Sequence, residues 1–260
     1  MTNKPDARPG DVSGTPLDKA LAIVEYVAEV GESAPAQINE QLGISRSATY
    51  RLVERLRSAG WLEESPASGT VRLGSHALSV GMLAVGRANI LQVAPPYLRR
   101  LAQLSQETVN MAVARGDFMA YVAQEEGPAA VKVTAQLGTR RPMNCSALGK
   151  AYLAALPEGT LRQRLQSLEY QRLTEHSITD PEQLWQEIQT TRERGYAIDA
   201  AEVEPGVACV GAVIRDHRGD PVAAVSVAGP AERMPAKEAE IAPLLIETAN
   251  DISKRLGYLK

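Results

Sequence analysis

Aromatic residues are scarce: one Phe, two Trp and eight Tyr make up 4% of the 260 residues. The core must therefore be assembled from Ala, Leu, Val and Ile, which suits compact helices on a small sheet and argues against an aromatic-lined catalytic cleft. Only two cysteines occur, Cys145 and Cys209, far apart; they argue against a disulfide framework and fit a reducing cytoplasm. The three histidines are scattered and no CxxC is present, so a structural zinc site is not expected. No apolar run approaches the roughly 18 residues of a membrane span, and the polar start MTNKPDARPGDVSGTP lacks the apolar centre of a signal peptide. GxSxG, P-loop and GxGxxG signatures are all missing. An enzyme is therefore the lesser alternative, and no cofactor or metal is expected. Charge of neither sign dominates: 28 basic against 31 acidic residues leave a net charge of −3, so any affinity for nucleic acid must come from local placement of Arg.

What is present is enough to bury a sizeable core, with 44% apolar residues, and the length suits two domains. Residues 1–15, rich in Pro, Gly, Asp and Thr, read as a disordered tail. From Pro16 to Val30 the spacing of Leu17, Leu21, Val24 and Ala28 predicts an amphipathic helix ended by Gly31. Ser33 and Pro35 start a second helix, AQINEQL, which Gly43 closes. Ser45 caps a third, packed through Ala48, Leu52, Leu56 and Ala59. Its opposite side carries Arg46, Ser47, Tyr50, Glu54 and Arg57, with Thr49 and Arg51 at the borders. Four Arg (46, 51, 55 and 57) against Glu54 give this helix a local charge of +3. Arg pairs with guanine edges or phosphates, and hydroxyls position the backbone. A solvated basic face would explain an isolated helix of this kind. Here a preceding helix, a Gly-containing turn and the following hairpin WLEESPASGTVRLG, with Arg72 available to a phosphate, favour a winged helix-turn-helix over residues 16–75.

A connector helix is expected over 76–92, where Leu78, Met82, Leu83 and Val85 carry more apolar surface than an exposed linker needs; a dimer contact would use it. Pro95-Pro96 breaks the pattern, and a second domain follows over 93–260. Its strands are predicted at VNMAVARGDFMAYVAQEE (a hairpin about Arg115-Gly116-Asp117), VKVTAQL, GYAIDA, VACVGAVIRD and PVAAVSVAG. Helices are predicted at CSALGKAYLAAL, Leu161–Leu168, Glu182–Arg194 and Pro235–Leu256. The fold class is α+β, an antiparallel sheet with flanking helices, an architecture that suits a ligand sensor.

The strings CSALGKAYLAALP, RGYAIDAAEVEPGVACVGAVIRD and AAVSVAGP behind such an N-terminal unit closely resemble the isocitrate lyase regulator (IclR) family of bacterial transcription factors, over nearly the whole chain from about residue 16. The resemblance implies a DNA-binding domain, a linker helix that dimerises and a GAF-like effector domain binding a small organic molecule. It further implies a homodimer, with a dimer of dimers as the larger assembly. The family's pocket falls here on Ser146, Ala147, Leu148, Asp199, Cys209 and Ser226, with Met143 and Asn144 as additions to its wall. Members that bind small carboxylates often carry a second Ser two residues beyond the first; Ala228 stands there, so one hydroxyl is absent.

The residues themselves give such a pocket a reason. Ser146 opens a helix whose first amides and positive dipole end favour a carboxylate, although an ordinary cap would need the same residue. Ser226 is either a ligand donor or a satisfied strand hydroxyl, and Cys209 in an apolar strand is a small hydrophobe rather than a nucleophile. Asp199, Glu202 and Glu204 suggest a metal site with His217 less readily than a solvated loop for the two glutamates. The expected function is a cytoplasmic, ligand-responsive repressor of a catabolic operon; an activator, or a metabolite-binding enzyme, is the alternative. Its partners are near-palindromic double-stranded operator DNA and a small-molecule effector, with no membrane. DNA contact is expected from Arg46, Ser47, Thr49, Tyr50, Arg51, Arg55 and Arg72.

Overall fold

The computed structural model describes residue 12 and residues 14–65, 69–87 and 89–259, without the side chains of 82–87. Most of the expected tail, the tip of the hairpin at 66–68, and the side chains of Met82, Leu83 and Val85 lie outside the described residues. The chain forms two compact units, Met1–Arg87 and Ala88–Lys260.

The first unit holds α1 (Pro16–Val30), β1 (Glu32–Ser33), α2 (Pro35–Leu42), α3 (Arg46–Ser58), β2 (Leu62–Glu64), β3 (Val71–Leu73) and α4 (Ser75–Arg87). Thr15, placed by sequence in the tail, caps α1 in a reciprocal capping box with Asp18, and the Val12 amide bonds Leu42 O at 2.9 Å. The buried stripe of α1 is rotated from the one expected. Ile23 and Val27 are sealed, whereas Leu17 and Leu21 are 66% and 53% exposed. Two apolar stripes run along α1; the β-branched one meets Ile38, Ile44, Leu52 and Val53 in a single cluster. β2 and β3 pair antiparallel as the expected hairpin. β1, which no periodicity announces in two residues, adds a third strand on β3. Ser45 occupies the cap position of α3 without a side-chain bond.

The second unit holds α5 (Ile90–Val93), α6 (Pro95–Ser105), β4 (Thr108–Arg115), β5 (Phe118–Glu125), β6 (Arg140–Pro142), α7 (Ala147–Ala154), α8 (Glu158–Ser167), α9 (Pro181–Arg194), β7 (Ala197–Ala200), β8 (Val207–Arg215), β9 (Pro221–Pro230) and α10 (Met234–Arg255). All strand pairs are antiparallel, in the order β6-β5-β4-β9-β8-β7. The connector expected to run to residue 92 stops as a helix at Arg87, and Asn89 starts α5 by accepting from the Leu91 amide. The strand predicted at VKVTAQL is absent. Residues 131–137 have no ladder partner, because Arg140–Pro142 takes the sheet edge beside β5. The alternation there marks only half-burial of Val133 and Ala135.

Period-two alternation divides the sheet's faces. Val210, Ala212 and Ile214 of β8 and Val225 and Val227 of β9 pack with Leu98, Leu101, Ile241, Leu245 and Ile252 of α6 and α10. On the other face, Met119, Tyr121 and Ala224 pack with Leu148, Leu153, Leu161, Leu184 and Ile188 of α7 to α9. α7 lies close to the sheet because the residues between are small: Ala147, Ala151 and Ala197 form one cluster. A Cβ on Gly211 would sit 2.7 Å from Ala147 O, so glycine is required there by the approach of the helix.

Candidate functional site

The first unit presents one basic surface. On α3, Thr49, Leu52 and Val53 are buried, while Arg46, Ser47, Tyr50, Arg51, Glu54, Arg55 and Arg57 are exposed. Thr49 is the correction. It is fully buried and its hydroxyl donates one turn back to Ser45 O at 3.2 Å, so it lies on the core side of the helix and does not face a groove. Arg57 is engaged by Glu54 at 3.2 Å and Glu64 at 2.8 Å, and Arg72 of the wing by Glu63 at 2.8 Å. Arg46, Arg51 and Arg55 have no carboxylate partner among the described residues. Arg46 stacks over the Tyr50 ring at 5.7 Å, which joins the two into one patch at the start of the helix.

The second unit contains a small, partly open pocket between the sheet and the first turn of α7, lined by Tyr121, Arg141, Ser146, Ala147, Leu148, Asp199, Val203, Glu204, Cys209 and Ser226 among others. It unites six of the eight residues expected for it: Ser146, Ala147, Leu148, Asp199, Cys209 and Ser226. They converge because Asp199 pairs across strands with Cys209, and Cys209 and Ser226 lie on the sheet face that α7 covers. Met143 and Asn144 do not line it. Met143 is sealed in the α7 to α9 cluster, and the Asn144 amide group is occupied by Gln171 O at 2.9 Å and Ile178 O at 2.7 Å.

The polar groups of the pocket differ in what remains free. Ser146 Oγ donates to Pro142 O at 2.6 Å and accepts from the Gly149 amide at 3.1 Å, so its hydroxyl is a cap. The amides of Ala147 and Leu148 come too early in α7 for any helical carbonyl to reach them. Ser226, 2% exposed, has no hydrogen-bond partner among the described residues. Burial above all, with the charge of Glu202, pushes the Asp199 carboxyl up to about 7, although Asp199 Oδ1 accepts the Glu202 amide at 2.7 Å. The Cys209 thiol is raised well above its ordinary value, first by burial and then by Asp199; it is a neutral lining group. Arg141 and Tyr121, which sequence reasoning passed over, stand together in the wall, the guanidinium 5.8 Å from the ring centre.

Glu202 is the second correction. It was expected in a solvated loop with Glu204, yet its side chain is 8% exposed and accepts from Lys150 Nζ at 2.5 Å. Lys150 itself is 1% exposed and lies 3.9 Å from Glu187. No local pattern forecasts this pair, since 52 residues separate its members. Glu202 is thus unavailable to a metal, and among the described residues no group of His, Cys, Asp or Glu is placed to hold one. No described helix is long and apolar enough to cross a membrane.

Comparison with known proteins agrees with both units. The family model "IclR helix-turn-helix domain" matches residues 16–66, and "Bacterial transcriptional regulator IclR C-terminal" matches residues 82–254. The HTH-type transcriptional repressor AllR of Klebsiella pneumoniae is 33% identical over 243 residues, 93% of this chain and 89% of its own. Among solved structures, the Agobacterium tumefaciens repressor BlcR is 30% identical, with a TM-score of 0.78 over 94% of this chain and 98% of that one. Pseudomonas aeruginosa HmgR is 27% identical, with a TM-score of 0.78 over 93% and 98%. Matched by these family models over both units and 33% identical over 93% of its length to a relative, the chain belongs to the IclR family of bacterial DNA-binding transcriptional regulators.

Proposed function

We propose that this regulator is a cytoplasmic repressor of a catabolic operon whose affinity for operator DNA changes when a small organic acid enters the pocket of the second unit. The division of labour is a winged helix-turn-helix over 16–75, a linker over 76–92 and an effector domain over 93–260. Arg46, Ser47, Tyr50, Arg51 and Arg55 of α3 face the DNA, with Arg72 of the wing over the neighbouring backbone. A homodimer would set two such helices in successive major grooves of a near-palindromic site, roughly 34 Å apart. The exposure of Leu17 and Leu21 on α1 and of Leu78 on α4 supports a second copy, with a dimer of dimers as the further assembly. The effector would contact the amides of Ala147 and Leu148, the carboxyl of Asp199 and the hydroxyl of Ser226, past Cys209.

The observation that carries the effector reading is the convergence in one pocket of helix amides that no helical carbonyl reaches and a serine hydroxyl with no protein partner among the described residues. An acid with its own hydrogen-bonding group would bond both. The test is fluorescence anisotropy on the promoter fragment beside the gene, with and without organic acids, using wild-type protein and Ser226→Ala. An acid that lowers operator affinity for the wild type and acts more weakly on Ser226→Ala is the expected result. Operator binding that no acid changes would refute the effector reading. A rise in operator affinity would refute effector-relieved repression.

A further inference from the structure

Arg141 differs from the other partly buried arginines of its unit in how little it is held. Arg233 grips Glu107 through two bonds of 2.6 and 2.7 Å and also reaches Val131 O. Arg192 closes on Ala154 O and Leu156 O at 2.9 and 2.6 Å. Arg141, with 22% of its side chain exposed, has only a 3.4 Å contact from Nε to the Tyr121 hydroxyl and Glu204 at 3.6 Å. A guanidinium carries five donors in a fixed fork, and most of these have no acceptor among the described residues. Its direction is set by the strand. Arg141 on β6 is opposite Met119 on β5, whose side chain belongs to the α7 face, and Tyr121 lies two residues further along that face. The free donors therefore look into the same pocket as Ser226 and the amides of Ala147 and Leu148.

Glu204 sits where it can contest that fork. It lies on the segment 201–206 between β7 and β8 and is more than half exposed, at the open side of the pocket. Two residues earlier the same segment is pinned, by Glu202 on Lys150 and by the Thr174 and Ser177 hydroxyls donating to Glu202 O at 3.2 and 2.7 Å. The Glu204 side chain is thus held by one long, solvent-facing ion pair, on a backbone that is itself bonded: Glu204 O accepts from the Val207 amide at 3.1 Å and Gly206 O from the Ala231 amide at 2.8 Å.

Building on the organic-acid reading above, we infer that Arg141 receives the carboxylate of the effector and that Glu204 is the internal competitor for the same guanidinium. The effector class is accordingly an acid that also bears a hydrogen-bond donor, its carboxylate on Arg141 and its donor towards the buried Asp199 carboxyl. Exchange of Glu204 for the effector's carboxylate frees the Glu204 side chain while Glu202 and the backbone of the segment stay anchored, so occupancy is reported by a charge freed at that edge of the unit.

The test is calorimetric titration of the full chain with lactate, malate, gluconate and benzoate and with their carboxamides. Wild type, Arg141→Gln, Arg141→Lys and Glu204→Gln are compared. At least one acid should bind the wild type and its amide should not. Arg141→Gln should weaken that acid roughly tenfold or more, as expected for the loss of a charged hydrogen bond, and Arg141→Lys should restore part of it. Glu204→Gln, an exposed change that threatens no core contact, should tighten it about threefold by removing an ion pair of surface strength. An acid that binds wild type and Arg141→Gln alike, an amide as tight as its acid, or a Glu204→Gln variant that binds more weakly would overturn the role of Arg141 and Glu204 while leaving an acid effector standing. Failure of every acid both to bind and to alter operator affinity would overturn the organic-acid reading with it.

Discussion

Replacement of Lys150 by Met tests whether the ion pair under the pocket is as dry as its geometry indicates. Lys150 Nζ is 2.5 Å from Glu202 Oε1, and the two side chains are 1% and 8% exposed. Glu202 has little else: Oε1 accepts weakly from the Ala200 amide at 3.4 Å, and Oε2 is buried with no partner. Burial raises the Glu202 carboxyl above the ordinary carboxylate range, and Lys150 only partly opposes this. A pair this deeply buried gives up the hydration of both charges, and such pairs are generally not a net source of stability against an apolar replacement. Removing Lys150 alone is another matter, because it strands a buried carboxylate, at a cost of about 3–5 kcal/mol. The unit spans 173 residues (260 − 87), for which about 2–4 °C is lost per kcal/mol, so the melting temperature should fall by roughly 6–20 °C. Without Lys150 the folded-state value of Glu202 moves further above its unfolded value. The folded state then gains from protonation at low pH and loses that gain as pH rises, so the deficit should be larger at pH 8 than at pH 5. Glu187 is not stranded, since Arg194 lies 3.3 Å away. The double variant Lys150→Met with Glu202→Leu should accordingly recover most of the loss. Far-UV circular dichroism melts of the three variants at both pH values decide the matter. A loss under about 1 kcal/mol in Lys150→Met, or a double variant no more stable than the single one, would show that water reaches the pair and would refute the reasoning.

Two further predictions separate side chains that neighbour each other in sequence or in space. Arg51→Ala should weaken operator binding and lower the salt slope by about one, if its guanidinium meets a phosphate. Thr49→Val, two residues away but buried, should leave operator affinity unchanged and move stability by no more than about 1 kcal/mol; anisotropy titrations across a salt series distinguish them. Asp199, raised to about 7 by burial and Glu202, favours the folded state fully below its ordinary value near 3.8, and that contribution is lost as pH climbs through about 7. Urea unfolding of wild type should weaken across that window, and Asp199→Asn, which cannot titrate, should remove that part of the slope; an unchanged pH profile would place Asp199 in solvent.

How much of this was legible in the sequence depended on how locally each feature is determined. The helix starts were readable because Pro sits at the first position of α1, α2 and α9, and the β4–β5 hairpin because alternation flanks a Gly-Asp turn. The rotation of α1 was not readable: its sequence carries two apolar stripes, and only the β-branched pair Ile23 and Val27 finds Ile38 and Val53 to pack on. Thr49 failed for a related reason. It borders the polar face on a helical wheel, and its hydroxyl is satisfied by the Ser45 carbonyl one turn back, which any helix supplies; the wheel does not say that the core covers this border. VKVTAQL failed because alternation is a property of one strand, whereas a ladder needs a free edge, and β6 had taken it.

The pocket shows the same division more sharply. Family motifs located Ser146, Asp199, Cys209 and Ser226, yet they assigned alike a serine whose hydroxyl is consumed by Pro142 O and the Gly149 amide and one whose hydroxyl is free. Motif position gives the neighbourhood of a side chain and not its hydrogen-bond state, which for Ser146 is settled by the local turn into α7. Lys150 is the strongest case. A lysine in the helix string ALGK reads as a surface residue, and only the return of the chain 52 residues later brings Glu202 against it. That same return carries Asp199 and Glu204 to the two sides of the cavity. A segment fixed at Glu202 by a buried charge, and tied at Glu204 by an exposed one, can respond to an anion at one end without unfolding at the other. The response expected at Glu204 is therefore one of its side chain, since the backbone around it keeps its bonds to the Val207 and Ala231 amides.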